Sequence, residues 1–195
     1  MYSIENLESR LKIFRAKLTE MNVDSALITK RESYMYLSGF TGTSAYLLIT
    51  TKKAYLLTDF RYMEQSKKQA PLFEIVQHKP DIYDSINEIL SSEMVKTLGF
   101  EDHSVSYSSY SVLKKKLSNI ELKGIGLTVD EMRSIKDEQE IEIIAQAVKI
   151  ADDAFMQVLP LIKPGITELD VAAELEYKMK KLGATGPSFE TIVAS

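Results

Sequence analysis

The chain contains no cysteine. That absence alone excludes disulfides, thiol catalysis and thiolate metal centres, and it fits a reducing cytoplasm, where disulfides are rare. Histidine is nearly as scarce, with only His78 and His103. Neither has a second His or a Glu at helical ligand spacing, so each reads as a surface or hydrogen-bonded histidine rather than a metal ligand. Serines are plentiful, but none stands in a G-x-S-x-G elbow with an evident His partner, which argues against a covalent triad. Gly124 and Gly126 lack the third glycine and the Lys-Ser/Thr ending of a phosphate loop. The longest apolar run, residues 45–49, is far too short to cross a bilayer. Glu5, Glu8, Arg10 and Lys12 interrupt the N-terminus, so no apolar signal region is expected there. Basic residues do not gather into a stripe. The 24 Lys and Arg stand against 28 Asp and Glu, a net charge of −4, so neither nucleic acid nor a membrane is an expected partner.

What the 195 residues do hold is a patterned α/β sequence with 45% hydrophobic residues, enough for one domain or one and a half. Ile4, Leu7, Leu11, Phe14, Leu18 and Met21 recur at spacings of three and four, the apolar face of a helix behind a Ser3 N-cap. The polar face mixes both signs of charge, so the helix reads as core-facing rather than membrane-bound. A short strand is expected at 25–29 and an aromatic turn at 34–44, with Gly39 and Gly42 supplying backbone freedom. A hairpin follows, with strands 45–50 and 54–58 on either side of Lys52 and Lys53. Asp59 is placed to cap a helix over 61–69, which ends at Ala70-Pro71. Strands at 73–77, 96–100 and 120–123 then alternate with helices at 81–90 and at 106–117, the latter capped by Ser106 or Ser108. That alternation predicts a mixed sheet in an α/β layer fold. Composition shifts at 130–140, which is rich in charge and lacks aromatics, and the expected domains are 1–126 and 127–195. Two helices close the chain. The first starts at the Asp137–Glu140 capping-box spacing, with Ile141, Ile144, Val148, Ala151, Phe155 and Val158 as its apolar face. The second starts at Thr167 and Asp170 and ends at Gly183. Residues 191–195 read as the beginning of a strand with no evident partner.

Two stretches carry a resemblance. YMYLSGFTGTSAYLLI (34–49) followed by LLTDFRYMEQ (56–65) resembles the N-terminal domain of the proline-specific aminopeptidases and dipeptidases, the family that includes creatinase. MRSIKDEQEIEIIAQAVKIADDAF (132–155) and IKPGITELDVAAELEYKMKKLGATGPSFETIVAS (162–195) resemble the opening of that family's pita-bread catalytic domain. The resemblance covers nearly the whole chain. It implies a creatinase/prolidase N-terminal domain of ribonuclease H-like α/β fold, followed by the entry helices of an incomplete α+β domain. It also implies that the intact protein is a cytoplasmic, homodimeric metallopeptidase that hydrolyses the bond preceding proline in short peptides. Two divalent ions (manganese, cobalt or zinc) would serve that reaction, held by two Asp, one His and two Glu downstream of Ser195. This chain would bind no metal and would be inactive alone. Two rivals share the scaffold: a creatinase-like hydrolase and a non-catalytic protein-binding module.

No catalytic residue is therefore expected within the chain, and the candidates are residues that shape a substrate groove. By resemblance, Arg61 in the Asp59-Phe60-Arg61-Tyr62 motif is the one to meet a peptide's polar end, because its planar fork suits a carboxylate. A cation in the first turn of a helix opposes the helix dipole, so Arg61 is either paired with Asp59 or held for a ligand. Phe40 and Phe189 are candidates for apolar walls, with core packing as the alternative for each. Relatives commonly carry Gly where Phe60 stands and Thr where Ser38 stands. The acidic pairs offer little. Asp152 and Asp153 point about 100° apart on a helix, and Glu101-Asp102-His103 reads as a loop.

Overall fold

The computed structural model describes residues 2–195, in two compact units that divide between Ile135 and Lys136. The division falls later than the sequence boundary at Gly126, because a short helix, α6 (Thr128–Ser134), belongs to the first unit.

The first unit is built on a six-stranded mixed sheet in the order β4-β3-β2-β1-β5-β6. Its strands are β1 (Ser25–Ile28), β2 (Tyr46–Thr50), β3 (Ala54–Thr58), β4 (Glu74–Gln77), β5 (Thr97–Phe100) and β6 (Glu121–Gly124). The β2–β3 hairpin is antiparallel with Leu47 opposite Leu56, and β2 is also antiparallel to β1. The remaining pairs, β3–β4, β1–β5 and β5–β6, are parallel. The central strands β1 and β3 are buried along their whole length, which is why they read as continuous apolar runs rather than as alternations. Side chains nonetheless part by the two-residue period. Ala26, Ile28, Leu47, Ile49, Ala54 and Leu56 face one core; Leu27, Leu48, Tyr55, Leu57, Leu98 and Phe100 face the other. The edge strands β4 and β6 are only partly covered and carry Glu74, Gln77, Glu121 and Lys123, charges and amides that discourage edge-to-edge pairing.

Helices cover both faces. On the first lie α1 (Ile4–Glu20), α2 (Arg31–Ser38) and α6; on the second lie α4 (Ile82–Ser92) and α5 (Tyr107–Lys116). α1 starts at Ser3, whose hydroxyl accepts the Asn6 N–H, and buries Leu7, Leu11, Phe14 and Leu18. Ile4 and Met21, the ends of the expected stripe, stay partly exposed. Arg10, only 3% exposed, lies among the apolar residues instead. Its guanidinium stacks at 4.0 and 4.1 Å from the rings of Tyr2 and Tyr36 and donates to the Tyr36 carbonyl at 3.0 Å. α2 stands where the sequence suggested a turn. α3 (Met63–Gln69) follows a short 3-10 turn over Phe60–Tyr62.

The second unit holds α7 (Glu138–Val158) and α8 (Glu168–Lys181), each opened by a complete capping box, from Asp137 with Glu140 and from Thr167 with Asp170. Gly183 takes φ +108° just past α8 and stops it. The expected face of α7 is covered only in part, at Val158 and, less fully, at Ala151. Ile141, Ile144, Val148 and Phe155 are about half exposed, while Ala154 and Val158 are buried. Residues 191–195 form no strand; the Ser195 N–H and hydroxyl both donate to Glu168 Oε1. Without a partner strand in the unit to share a ladder, an extended segment takes side-chain acceptors instead.

Candidate functional site

The Asp59-Phe60-Arg61-Tyr62 motif closes the C-terminal end of β3, facing the loop that follows α2. Gly39 ends α2 with φ +77°, a conformation that L side chains rarely adopt. The Ser38 hydroxyl donates to the Tyr34 carbonyl and accepts the Phe40 N–H, so the turn after the helix is fixed from within. Gly42 serves differently from Gly39: it needs no positive φ. A Cβ there would fall 2.2 Å from Phe40 Cζ and 3.0 Å from Tyr62 Cδ1, so glycine is required for close approach. Phe40 is fully buried, with Tyr62 packed edge-on at 5.7 Å and Tyr34 at 6.2 Å. It has no solvent-facing surface and holds the core role rather than that of a groove wall. The exposed ring of this region is Phe60, at 75%.

Asp59 does two jobs. Its Oδ1 accepts the Arg61 N–H at 3.0 Å, the N-cap expected from the sequence. Its two oxygens also hold the Arg61 guanidinium, Nε at 2.9 Å and Nη2 at 2.8 Å. The bond from Arg61 holds the Asp59 carboxyl down at about 2 and lifts the Arg61 pKa. The local pair therefore exists, yet it engages only one edge of the fork. Arg61 Nη1 has no protein partner among the described residues, and the side chain is well exposed. A guanidinium has five N–H donors, so the outer edge remains able to take a carboxylate. The Tyr62 hydroxyl shares a 2.7 Å hydrogen bond with Thr43, which draws the phenol below its usual pKa. Thr43, Tyr62 and Arg61 thus form one cluster at the strand end, the Arg61 guanidinium 5.4 Å from the Tyr62 ring, with the exposed Phe60 adjoining it in the chain.

The other candidates separate. Phe189, in the second unit, is 76% exposed and lines a cavity with residues of α7 and α8, including Ile150 and Met179. Glu101, Asp102 and His103 form a turn and diverge to separate partners. Glu101 Oε2 accepts the N–H groups of Thr29 and Lys30, Asp102 Oδ1 accepts that of Gly126, and His103 Nε2 lies 3.1 Å from Asp130. Asp130 also takes Lys30 and Arg133, and the bond from Lys30 leads in lowering its pKa. His78 Nδ1 meets the Lys79 carbonyl, and Asp153 pairs with Lys149. Among the described residues no three His, Asp or Glu side chains converge as metal ligands.

A mixed α/β unit capped by such a strand-end motif and followed by two boxed helices defines a two-part chain. Residues 10–135 match the family described as creatinase/prolidase N-terminal domain, and residues 142–195 match metallopeptidase family M24. The chain belongs to the creatinase/prolidase family. An uncharacterized peptidase of Bacillus subtilis is 40% identical over 95% of this chain and 53% of its own length. The Xaa-Pro dipeptidase of Pyrococcus horikoshii is 36% identical over 89% of this chain and 48% of its own. Among solved structures, an Xaa-Pro dipeptidase from Bacillus anthracis superposes with a TM-score of 0.90 at 40% identity, covering 94% of this chain and 52% of that one. The chain spans about half the length of the curated relatives it matches. The M24 description implies a metal, but the described residues do not fit one.

Proposed function

We propose that this chain is the N-terminal portion of a longer cytoplasmic, metal-dependent peptidase that cleaves the bond preceding proline in short peptides. The observation that carries the reading is similarity to Xaa-Pro dipeptidases along nearly all of this chain but only half of theirs. Divalent ions, with manganese, cobalt and zinc as the candidates, would be held by the length of the relatives that this chain does not span. No step of the reaction runs through the residues described above. Their part is to assemble the protein as a homodimer and to shape the substrate groove.

In that role Arg61 receives the terminal carboxylate of a short peptide on its outer edge, while Asp59 fixes the rotamer from behind. Binding then orders little that is not already ordered. Phe60 presents an apolar surface beside the Arg61 head, and Phe40 supports the region from the core by packing behind Tyr62. Phe189 is the apolar candidate contributed by the second unit.

The test compares this 195-residue chain with the product of its extended reading frame on Xaa-Pro dipeptides, Xaa-Pro-Yaa tripeptides and creatine, with and without divalent ions. The extended protein should cleave Xaa-Pro substrates only with metal, and this chain should show no turnover. Substituting Arg61→Gln in the extended protein should raise KM about tenfold or more for substrates with a free carboxylate and leave esterified ones little changed. Turnover of creatine instead of peptides, or metal-independent cleavage by this chain, would overturn the reading.

A further inference from the structure

On the first unit a cleft of about 620 Å³ opens between α1, the tip of the β2–β3 hairpin and the turn leading into β4. Leu11, Leu72 and Phe73 give it apolar lining. Four cations also line it, Lys12 and Arg15 from α1 and Lys52 and Lys53 from the hairpin, against two carboxylates, Glu8 and Glu74. This is a local reversal of sign on a chain whose net charge is −4.

Three of the four cations form no ion pair among the described residues. Arg15 Nε donates to the Thr50 carbonyl at 2.9 Å, which ties the guanidinium to the hairpin while leaving both Nη groups without a protein partner among the described residues. Lys12, three residues earlier on the helix, and Lys52, at the hairpin tip, form no ion pair among the described residues. Lys53 alone is committed, to Glu93 at 3.2 Å and Glu74 at 3.8 Å. Like charges three residues apart on a helix repel, and a third cation brought from another element adds to that cost. Nothing in the packing of α1 requires it, since Leu7, Leu11, Phe14 and Leu18 already fill the core side.

We infer that this cleft is a binding site for a small phosphomonoester, its head held by Lys12, Arg15 and Lys52 and its apolar portion laid against Leu72 and Phe73. A phosphomonoester carries about −1.5 to −2 charge near neutral pH and three acceptor oxygens, which suits one guanidinium fork and two ammonium groups better than a single carboxylate does. The cleft's size is in the range of small-molecule sites. The inference is independent of the peptidase reading.

The experiment is an amide chemical-shift titration of the 195-residue chain at fixed ionic strength with three probes: phenyl phosphate, inorganic phosphate and benzyl alcohol. Phenyl phosphate should give saturable shifts at residues 8–15, 51–54 and 72–74, and inorganic phosphate weaker shifts at the same amides. Benzyl alcohol should give none there. The double variant Lys12→Gln/Lys52→Gln changes only exposed side chains and should fold normally. It should weaken phenyl phosphate binding about tenfold or more. Shifts scattered evenly over all surface lysines, equal shifts with benzyl alcohol, or undiminished affinity in the double variant would each overturn the assignment.

Discussion

At the scale of single residues, Asp59 and Arg61 show how one pair serves structure and leaves chemistry open. The two side chains meet in a forked geometry that aligns both donors with both carboxylate oxygens. The consequence is a measurable titration. The Asp59 carboxyl sits at about 2, below its ordinary value of 3.8, and the bond from Arg61 is the leading cause. A depressed carboxylate contributes stability above its unfolded value and loses it as pH falls through the folded one. Any contribution of this pair is therefore complete at neutral pH and disappears between about pH 4 and pH 2. Because the Arg61 partner is well exposed, its size is small. Carboxyl ¹³C shifts followed against pH should place Asp59 near 2, and Arg61→Gln should return it toward the ordinary carboxylate range. An Asp59 that titrates at about 4 in the unaltered chain would mean that the fork is not closed in solution and that Arg61 is free to move. Phe40 makes a second point at this scale. Of the two roles open to it, groove wall or core, burial favours the core, and the neighbouring Gly39 and Gly42 end a helix and let the buried ring pass beneath the backbone.

At the scale of elements, α2 explains why part of the fold could not be read locally. Its N-cap residue, Lys30, makes no side-chain cap. The free N–H groups of Thr29 and Lys30 are met by Glu101, which lies some seventy positions along the chain and is 1% exposed. No local signal could announce a helix whose start is satisfied from the end of β5. The helices with local caps behaved otherwise: Ser3, Asp59, Asp137 and Thr167 all accept the expected backbone N–H, and of the alternatives Ser106 and Ser108 it is Ser106 that caps; the hairpin was likewise legible from its two apolar runs. The Asp59–Arg61 pair was legible as an alternative, since the two stand two residues apart. The role of Phe60 was not, because exposure depends on what packs around it. That most of the α7 face stays uncovered was not legible either, for the same reason. Glu101 carries the prediction. Glu101→Ala leaves two part-buried N–H groups without their acceptor and should destabilise the first unit by about 1–3 kcal/mol in urea unfolding. Glu101→Gln, which keeps an acceptor oxygen but not the charge, should cost less. Amide exchange at residues 33–37 should rise in both. An alanine variant within about 0.5 kcal/mol of the parent would show that water replaces the carboxylate and that α2 does not depend on it.

At the scale of the whole molecule, the two units differ in how much they bury. The first closes helices over both faces of its sheet, and Phe14, Leu37, Phe40, Leu47, Ile49 and Leu56 are fully enclosed. In the second, Ala154 and Val158 are the only hydrophobic side chains so enclosed among its described residues, while Ile141, Val148, Phe155, Leu169 and Ile192 remain more than half exposed. Each apolar side chain fully removed from water contributes on the order of 1.5–3 kcal/mol, so the second unit has far less to set against the conformational entropy of ordering two helices. Its capping boxes help, at about 1 kcal/mol each, but they stabilise helix ends and not the docking of one helix on another. Native-state hydrogen exchange should therefore divide at the linker. Amides of β1, β2 and β3 should exchange only through global unfolding of the first unit. Those of α7 and α8 should exchange through openings several kcal/mol lower, in line with the expectation that opening energies follow local burial. The extended polypeptide, which by the proposed reading supplies cover for the exposed face of α7, should raise protection of α7 and α8 while leaving the β1–β3 amides unchanged. If α7 and α8 in this chain were already protected to the level of β2, the second unit would be stable on its own, and the exposed apolar residues would need no further polypeptide to cover them.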